Sequence, residues 1–137
     1  MISVTGTTGN YILQPVLFAK HSETIDWLSS TVLWKSELNA FQTILDERAP
    51  SIKSIDGKKS IDHYQNLVIY YNGELIDTMR KKLRDHETSL AHMLESKNES
   101  DTHYYKEHQG IMDELESFSV HFKQFRAEFF EFMRTAH

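Results

Sequence analysis

The sequence predicts an all-α protein, an antiparallel bundle of three long helices preceded by an N-terminal arm, and three observations carry that reading. In the last third of the chain Tyr104, His108, Ile111, Leu115, Phe118, Phe122, Phe125, Phe129 and Phe132 recur at alternating steps of four and three. A stripe held that long without a slip marks a helix that buries one face against others, as in coiled coils. A second stripe, Ile61, Tyr64, Val68, Tyr71, Leu75, Met79, Leu83, His86, Leu90 and Met93, runs through the middle of the chain. Finally, the 137 residues hold two prolines and five glycines. Most of these fall before residue 58, which leaves the long uninterrupted segments that helices prefer.

By length this is one domain, large enough to bury a core without metal or disulfide staples. Residues 1–14 read as the arm and 15–137 as the helical bundle domain. The opening Met1 to Asn10, with Gly6 and Gly9, has the look of a strand and glycine turn, but the third glycine of a dinucleotide fingerprint is missing and no βαβ pattern follows. A flexible or extended arm is expected instead. Pro15 suits a helix's first turn, and the pattern from Val16 to about Asp46 is helical. Pro50 disfavours helical geometry at Ala49 and should stop that helix.

Residues 51–58, with Asp56 and Gly57, read as a loop, and Ser60 as the cap of a second helix that runs to about Lys97. A short polar turn from Asn98 to Thr102 then reverses the chain into the third helix. Folding about Glu99 sets Arg80, Lys81, Lys82 and Arg84 near Asp113, Glu114 and Glu116. The basic run is therefore expected to be a solvated face that sets register rather than a nucleic-acid patch.

Composition narrows the function. The formal net charge is −5 with 26% charged residues, which gives no basic footprint for nucleic acid or an anionic membrane. There is no cysteine, so disulfides, thiolate metal sites and cysteine nucleophiles are excluded. The apolar stretch from Tyr11 to Ala19 is broken by Gln14 and Pro15 with no basic residue before it, and no run approaches the roughly 20 apolar residues of a membrane span. A soluble cytoplasmic protein is expected. No Gly-x-Ser-x-Gly elbow or Walker sequence is present, so enzymatic readings have no motif behind them.

The first helix carries two stripes. His21, Ile25, Leu28 and Val32 form one, and Trp27, Trp34, Leu38, Phe41 and Leu45 form another, well apart on the helical wheel. A helix apolar on two faces needs two partners. One is the hairpin of the other two helices; the second is the arm, another helical protein or a second copy of the chain, so a homodimer is expected. Trp27, Trp34 and Phe41 are the candidate interaction anchors, because exposed large aromatics concentrate binding energy. If heptad spacing puts them in the core instead, the stripe of Ile25, Leu28 and Val32 becomes the contact face.

Eight histidines raise a second possibility. His21, His86 and His108 each fall on an apolar stripe of a different helix, and an antiparallel register brings them to similar levels. Such a set could bind zinc or another divalent metal, with Asp85, Glu87, Glu107 and Asp113 as neighbouring acceptors. The competing assignment makes them core residues whose ring nitrogens find carbonyls or tyrosines, Tyr104 and Tyr105 being nearby. Buried imidazoles that titrate near neutrality would also suit pH sensing. A di-iron carboxylate site would need Glu-x-x-His pairs, which are absent. Of the hemerythrin-like pattern only His103 with Glu107 and His108 with Asp113 match, both on one helix. No other cofactor is called for.

Trp27-Leu28, the stretch Trp34-Lys35-Ser36-Glu37-Leu38 with Phe41-Gln42, His63-Tyr64-Gln65-Asn66, His86-Glu87 and the aromatic final helix resemble a group of uncharacterised bacterial proteins built from long helices. The resemblance covers most of residues 21–133. It implies the same long-helix architecture and brings no activity or functional residues. The leading expectation is thus a non-enzymatic, self-associating helical interaction or scaffold module, with a three-histidine metal-binding bundle as the alternative.

Overall fold

The computed structural model describes residues 2–3, 12–96 and 102–137. The chain is all-α with three long helices, as its stripes predict. The first, α1, spans Pro15–Arg48. The second consists of α2 (Ile55–Tyr70), a π turn (Tyr71–Leu75) and α3 (Ile76–Glu95) in unbroken succession. The third, α4, spans Thr102–Thr135. In the arm, β1 (Ile2–Ser3) pairs antiparallel with β2 (Ile12–Leu13), Ile2 opposite Leu13 and Ser3 opposite Ile12. An extended arm was expected; its two ends pair with each other. Gly6, Gly9 and the polar turn expected at 98–102, apart from Thr102, lie outside the described residues.

Pro15 opens α1, where its missing N–H costs nothing. Pro50 falls in a short 3-10 turn, Ala49–Ser51, directly after α1 ends at Arg48. The expected loop at 51–58 is corrected. Only Ile52, Lys53 and Ser54 separate that turn from α2, and the cap is Ser54 rather than Ser60, its Oγ accepting from the Gly57 N–H at 3.0 Å. Asp56 in the first turn meets the positive end of the helix dipole. Aspartate and glycine, read as loop residues, are here helix-starting residues.

The π turn is the second departure. The middle stripe was expected to pass from Tyr71 to Leu75, Met79 and Leu83, three successive steps of four. In the structure Tyr71 and Leu75 are both half-buried while Ile76 is fully buried, so the stripe steps five residues from Tyr71 to its next fully buried position, Ile76. A π turn, with its wider i→i+5 pitch, inserts one residue without turning the buried face away. From Ile76 the buried positions Met79, Leu83, His86, Leu90 and Met93 resume alternating steps of three and four. Within the turn the Asn72 carbonyl accepts from Lys35 Nζ at 2.7 Å and the Asn72 side-chain amide donates to Asn39 Oδ1 at 2.8 Å.

The chain divides into two compact units. Unit 1 comprises Met1–Thr31 and Thr78–Leu115, and unit 2 comprises Val32–Asp77 and Glu116–His137. In unit 1 His21 meets Glu87 and Thr31 meets Arg80, so α1 and α3 run antiparallel, and Lys82 against Glu114 with His86 against Glu107 does the same for α3 and α4. Of the basic run, Lys82 Nζ reaches Glu114 across the seam at 3.0 Å, Lys81 turns to Asp85 on its own helix at 2.7 Å, and Arg80 donates to Thr31 Oγ1 at 2.7 Å. Leu17, Leu90, Met93, Leu94 and Tyr104 form the apolar part of this core.

Unit 2 has an aromatic core. Trp34 sits edge-on to Phe118 at 5.0 Å, Phe41 stacks on Phe129 at 4.5 Å, and Tyr71 is edge-on to Phe118 and Phe125, each at 5.4 Å. Such pairs add about 0.5–1.5 kcal/mol each beyond the area they bury. Arg126 grips Glu37 with two parallel bonds of 2.7 and 3.0 Å, a bidentate fork that fixes α1 beside α4 in this unit. Arg48 donates to the Met133 and Ala136 carbonyls, at 3.2 and 3.3 Å, and so satisfies the end of α4.

Gly57 explains itself by space. A Cβ there would lie 2.5 Å from Ile52 Cγ2 and 2.7 Å from Ser54 Oγ, both parts of the α2 start. Gly57→Ala should destabilise the protein by about 1–3 kcal/mol through overpacking, as read by chemical denaturation. A variant as stable as the parent would show that the α2 start is not held against Ile52.

Candidate functional site

The buried polar side chains among the described residues are His21, Thr24, Thr31, His86, Glu87 and His108, and all belong to unit 1. A buried polar group is costly unless it is partnered. The threonines are satisfied simply, Thr24 donating to the Lys20 carbonyl at 2.9 Å and Thr31 to the Leu28 carbonyl at 2.6 Å. The histidines and Glu87 are arranged differently.

His86, fully buried on α3, is the centre. Its Nδ1 lies 2.6 Å from Glu107 Oε1 on α4, and its Nε2 lies 2.9 Å from His108 Nδ1, one helical position further along α4. His86 also stacks flat on Tyr104, with ring centres 4.4 Å apart and planes 5° from parallel. His108 Nε2 faces Glu23 Oε1 of α1 across 3.5 Å and has no hydrogen-bond partner. The result is a row running Glu107, His86, His108, Glu23. Its two imidazoles are buried, and its terminal carboxylates are 32% and 53% exposed. At the Glu107 end the row reaches solvent through a groove of about 450 Å³ lined by Lys82, Asp85, Glu107, Gly110, Ile111 and Glu114.

His21 stands apart from that row. Its Nδ1 lies 2.6 Å from Glu87 Oε2 in an ion-pair contact, and both Nδ1 and Glu87 Oε1 are without hydrogen-bond partners. Burial holds the His108 pKa below its ordinary value; His86 and Lys20 push the same way and Glu23 opposes them. Burial, with the Glu87, Tyr105, Glu107 and Glu23 charges behind it, raises the Tyr104 phenol well above its usual range.

The sequence placed the three stripe histidines in the core, and all three are there. The structure brings His86 and His108 together and gives His21 to Glu87 instead. Among the described residues no group of three or more histidine, aspartate or glutamate side chains is placed to hold a metal ion. Of the neighbouring acceptors, Glu107 and Glu87 do face imidazoles, whereas Asp85 pairs with Lys81 and Asp113 with Gln109 on the surface. Glu23 was missed. Its exposed position follows no stripe, and only the packing of α1 on α4 brings it to His108.

Of the interaction candidates, Trp34 and Phe41 are 8% and 3% exposed and lie in the aromatic core of unit 2. Trp27 is half-buried in unit 1. On the other stripe His21 is buried, Leu28 is half-buried, and Ile25 and Val32 are 41% and 55% exposed. Compared with known protein families, curated proteins and solved structures, the chain matches none.

The Tyr104 hydroxyl is buried with no hydrogen-bond partner, a loss of about 1–3 kcal/mol for a group of this kind. Tyr104→Phe keeps the ring that stacks on His86 and removes the stranded hydroxyl. The variant should melt at a higher temperature than the parent, by roughly 1 kcal/mol of added stability; a lower melting temperature would mean that the hydroxyl has a partner in solution.

Proposed function

We propose that this protein is a non-enzymatic helical interaction module that associates with a second copy of itself. The observation that supports the reading is the distribution of apolar surface. Of the α1 anchors, Trp34 and Phe41 are used inside and Trp27 is half-buried, yet large apolar residues remain outside. Val32, Leu33, Ile55, Ile69, Tyr70, Val120 and Phe130, all in unit 2, are each at least 46% exposed. Among the described residues unit 1 leaves only Val16 and Ile25 comparably exposed. Scattered exposed apolar residues are ordinary; what stands out in this set is the adjacent pair Val32 and Leu33 on α1. The face of α1 bearing Val32 and Leu33, which are 55% and 65% exposed, supplies the contact.

Two further features favour binding over chemistry. The site richest in titratable groups keeps its imidazoles at most 2% exposed, out of reach of a substrate. Among the described residues no helix is long and apolar enough to cross a membrane, so these residues are not explained as part of a span.

Sedimentation equilibrium over a hundredfold concentration range is the test. The parent should show a reversible monomer–dimer equilibrium, and its melting temperature should rise with concentration. Val32→Glu with Leu33→Glu should shift it to monomer while leaving helicity and the monomer's stability within about 0.5 kcal/mol, as expected for surface changes. A parent that stays monomeric at high micromolar concentration would sink the proposal.

A further inference from the structure

The row Glu107, His86, His108, Glu23 can be assigned proton by proton. An ionised carboxylate only accepts, so His86 Nδ1, at 2.6 Å from Glu107, carries a hydrogen and donates it. A neutral imidazole has one N–H, so His86 Nε2 is then a bare acceptor. His108 Nδ1, at 2.9 Å, must therefore be the donor in the second link, and His108 Nε2 is left as a bare lone pair. It faces a Glu23 carboxylate oxygen, a second acceptor, across 3.5 Å with no hydrogen bond. Three links join four groups, and two protons fill only two of them. The geometry matches that count, with two short contacts and one open gap.

We propose that the gap between His108 Nε2 and Glu23 Oε1 is a proton-binding site: uptake of one proton converts an open chain into a closed one and clasps α1 to the pair of helices α3 and α4 in unit 1. No bond other than N–H forms, and the proton comes from solvent. The balance is the same if the added proton rests on His86, because Nε2–H then donates to His108 Nδ1 and His108 Nε2–H donates to Glu23. Closure draws in a residue that is otherwise half exposed, so its effect is on how firmly α1 is held rather than on whether the unit folds.

The charged and titratable groups around the gap come from all three helices. On α1, Lys20 opposes uptake and Glu23 favours it; His21 is engaged with Glu87 of α3. On α3, His86 opposes a charge on its neighbour. On α4, the Tyr104 phenol is held well above its usual range by burial, Lys20 lies 5.4 Å over the Tyr105 ring, and Glu107 is already paired with His86. The folded pKa of His108 lies below the unfolded value near 6.5, so the unfolded chain takes up the proton first on acidification. The stability that His108 contributes is complete above about pH 6.5 and is lost as the pH falls through its folded pKa; closure onto Glu23 offsets part of that loss and adds no net stability.

The test is long-range proton–nitrogen NMR of the imidazoles in chelator-treated protein, titrated from pH 8 downward, for the parent and for Glu23→Gln and Glu23→Ala. At pH 8 both His86 and His108 should be Nδ1–H tautomers, and acidification should place one new proton at the His108 Nε2 end of the row. A glutamine amide can donate into the lone pair without any added proton. Glu23→Gln should therefore melt higher than Glu23→Ala at pH 8 and should delay proton uptake to lower pH, by about 0.5 or more, a discounted share of the 1–3 seen for close opposite charges because Glu23 is half exposed. An Nε2–H tautomer at His108 at pH 8, or uptake that Glu23→Gln leaves unmoved, would overturn the proposal. So would a stoichiometric shift of the His108 Nε2 signal on adding zinc at pH 8, which would make the gap a metal position instead.

Discussion

The phase of the second long helix is the constraint on which the rest of the structure depends. The α4 stripe keeps strict heptad steps from Tyr104 to Phe129, and all eight of its side chains over that range are buried. A partner helix can follow such a stripe only if its own apolar face stays in step. The middle segment carries one residue too many for that, and the π turn at Tyr71–Leu75 absorbs it. Because the turn takes up the extra residue, Ile61, Val68 and Ile76 are all buried on one segment, and the aromatic side chains of α4 in unit 2 meet a continuous surface. The cost is a locally irregular backbone, answered by Lys35 on the Asn72 carbonyl.

The two units use the same three-helix arrangement for different ends. Unit 2 spends its aromatics on an interlocked core, Trp34 and Phe41 against Phe118, Phe122 and Phe129, and leaves apolar residues outside. Unit 1 accepts buried imidazoles and a buried carboxylate in place of some apolar contacts. A fully apolar core would be the more stable choice, since buried charged or polar pairs rarely exceed the packing they replace.

Much of the fold was legible because periodicity reports burial directly. The unbroken α4 stripe, the start at Pro15, the stop near Pro50 and the Lys82 to Glu114 seam could all be read from spacing and charge. The π turn could have been suspected too: the steps of four from Tyr71 to Leu75, Met79 and Leu83 are one residue out of heptad phase, and a slipped stripe implies an inserted residue. Ser54 was hidden because Asp56 and Gly57 suggest a turn, and only the crowding around Ile52 shows why a glycine is needed in a helix's first turn. In the polar site, His86 and His108 were legible as stripe residues, and Glu107 as a neighbour. Glu23 was not, since an exposed glutamate carries no periodic signal and its partner is settled by the side-by-side packing of α1 and α4.

The most direct test of the phase constraint is to shorten the second helix by one residue at two places in unit 2. Gly73 lies in the π turn, where an added Cβ would meet nothing within 4 Å, and its deletion returns the five-residue step to four. Deleting Asn66, an exposed residue in the regular part of α2, rotates one flank of the buried face by about 100°. The account expects the Gly73 deletion to keep the parent's helicity and a single cooperative unfolding transition, and the Asn66 deletion to lose several kcal/mol or fail to fold, as misplaced core residues do. Equal damage from both deletions would contradict it, because the π turn would then be a local irregularity and not the device that keeps the helices in phase.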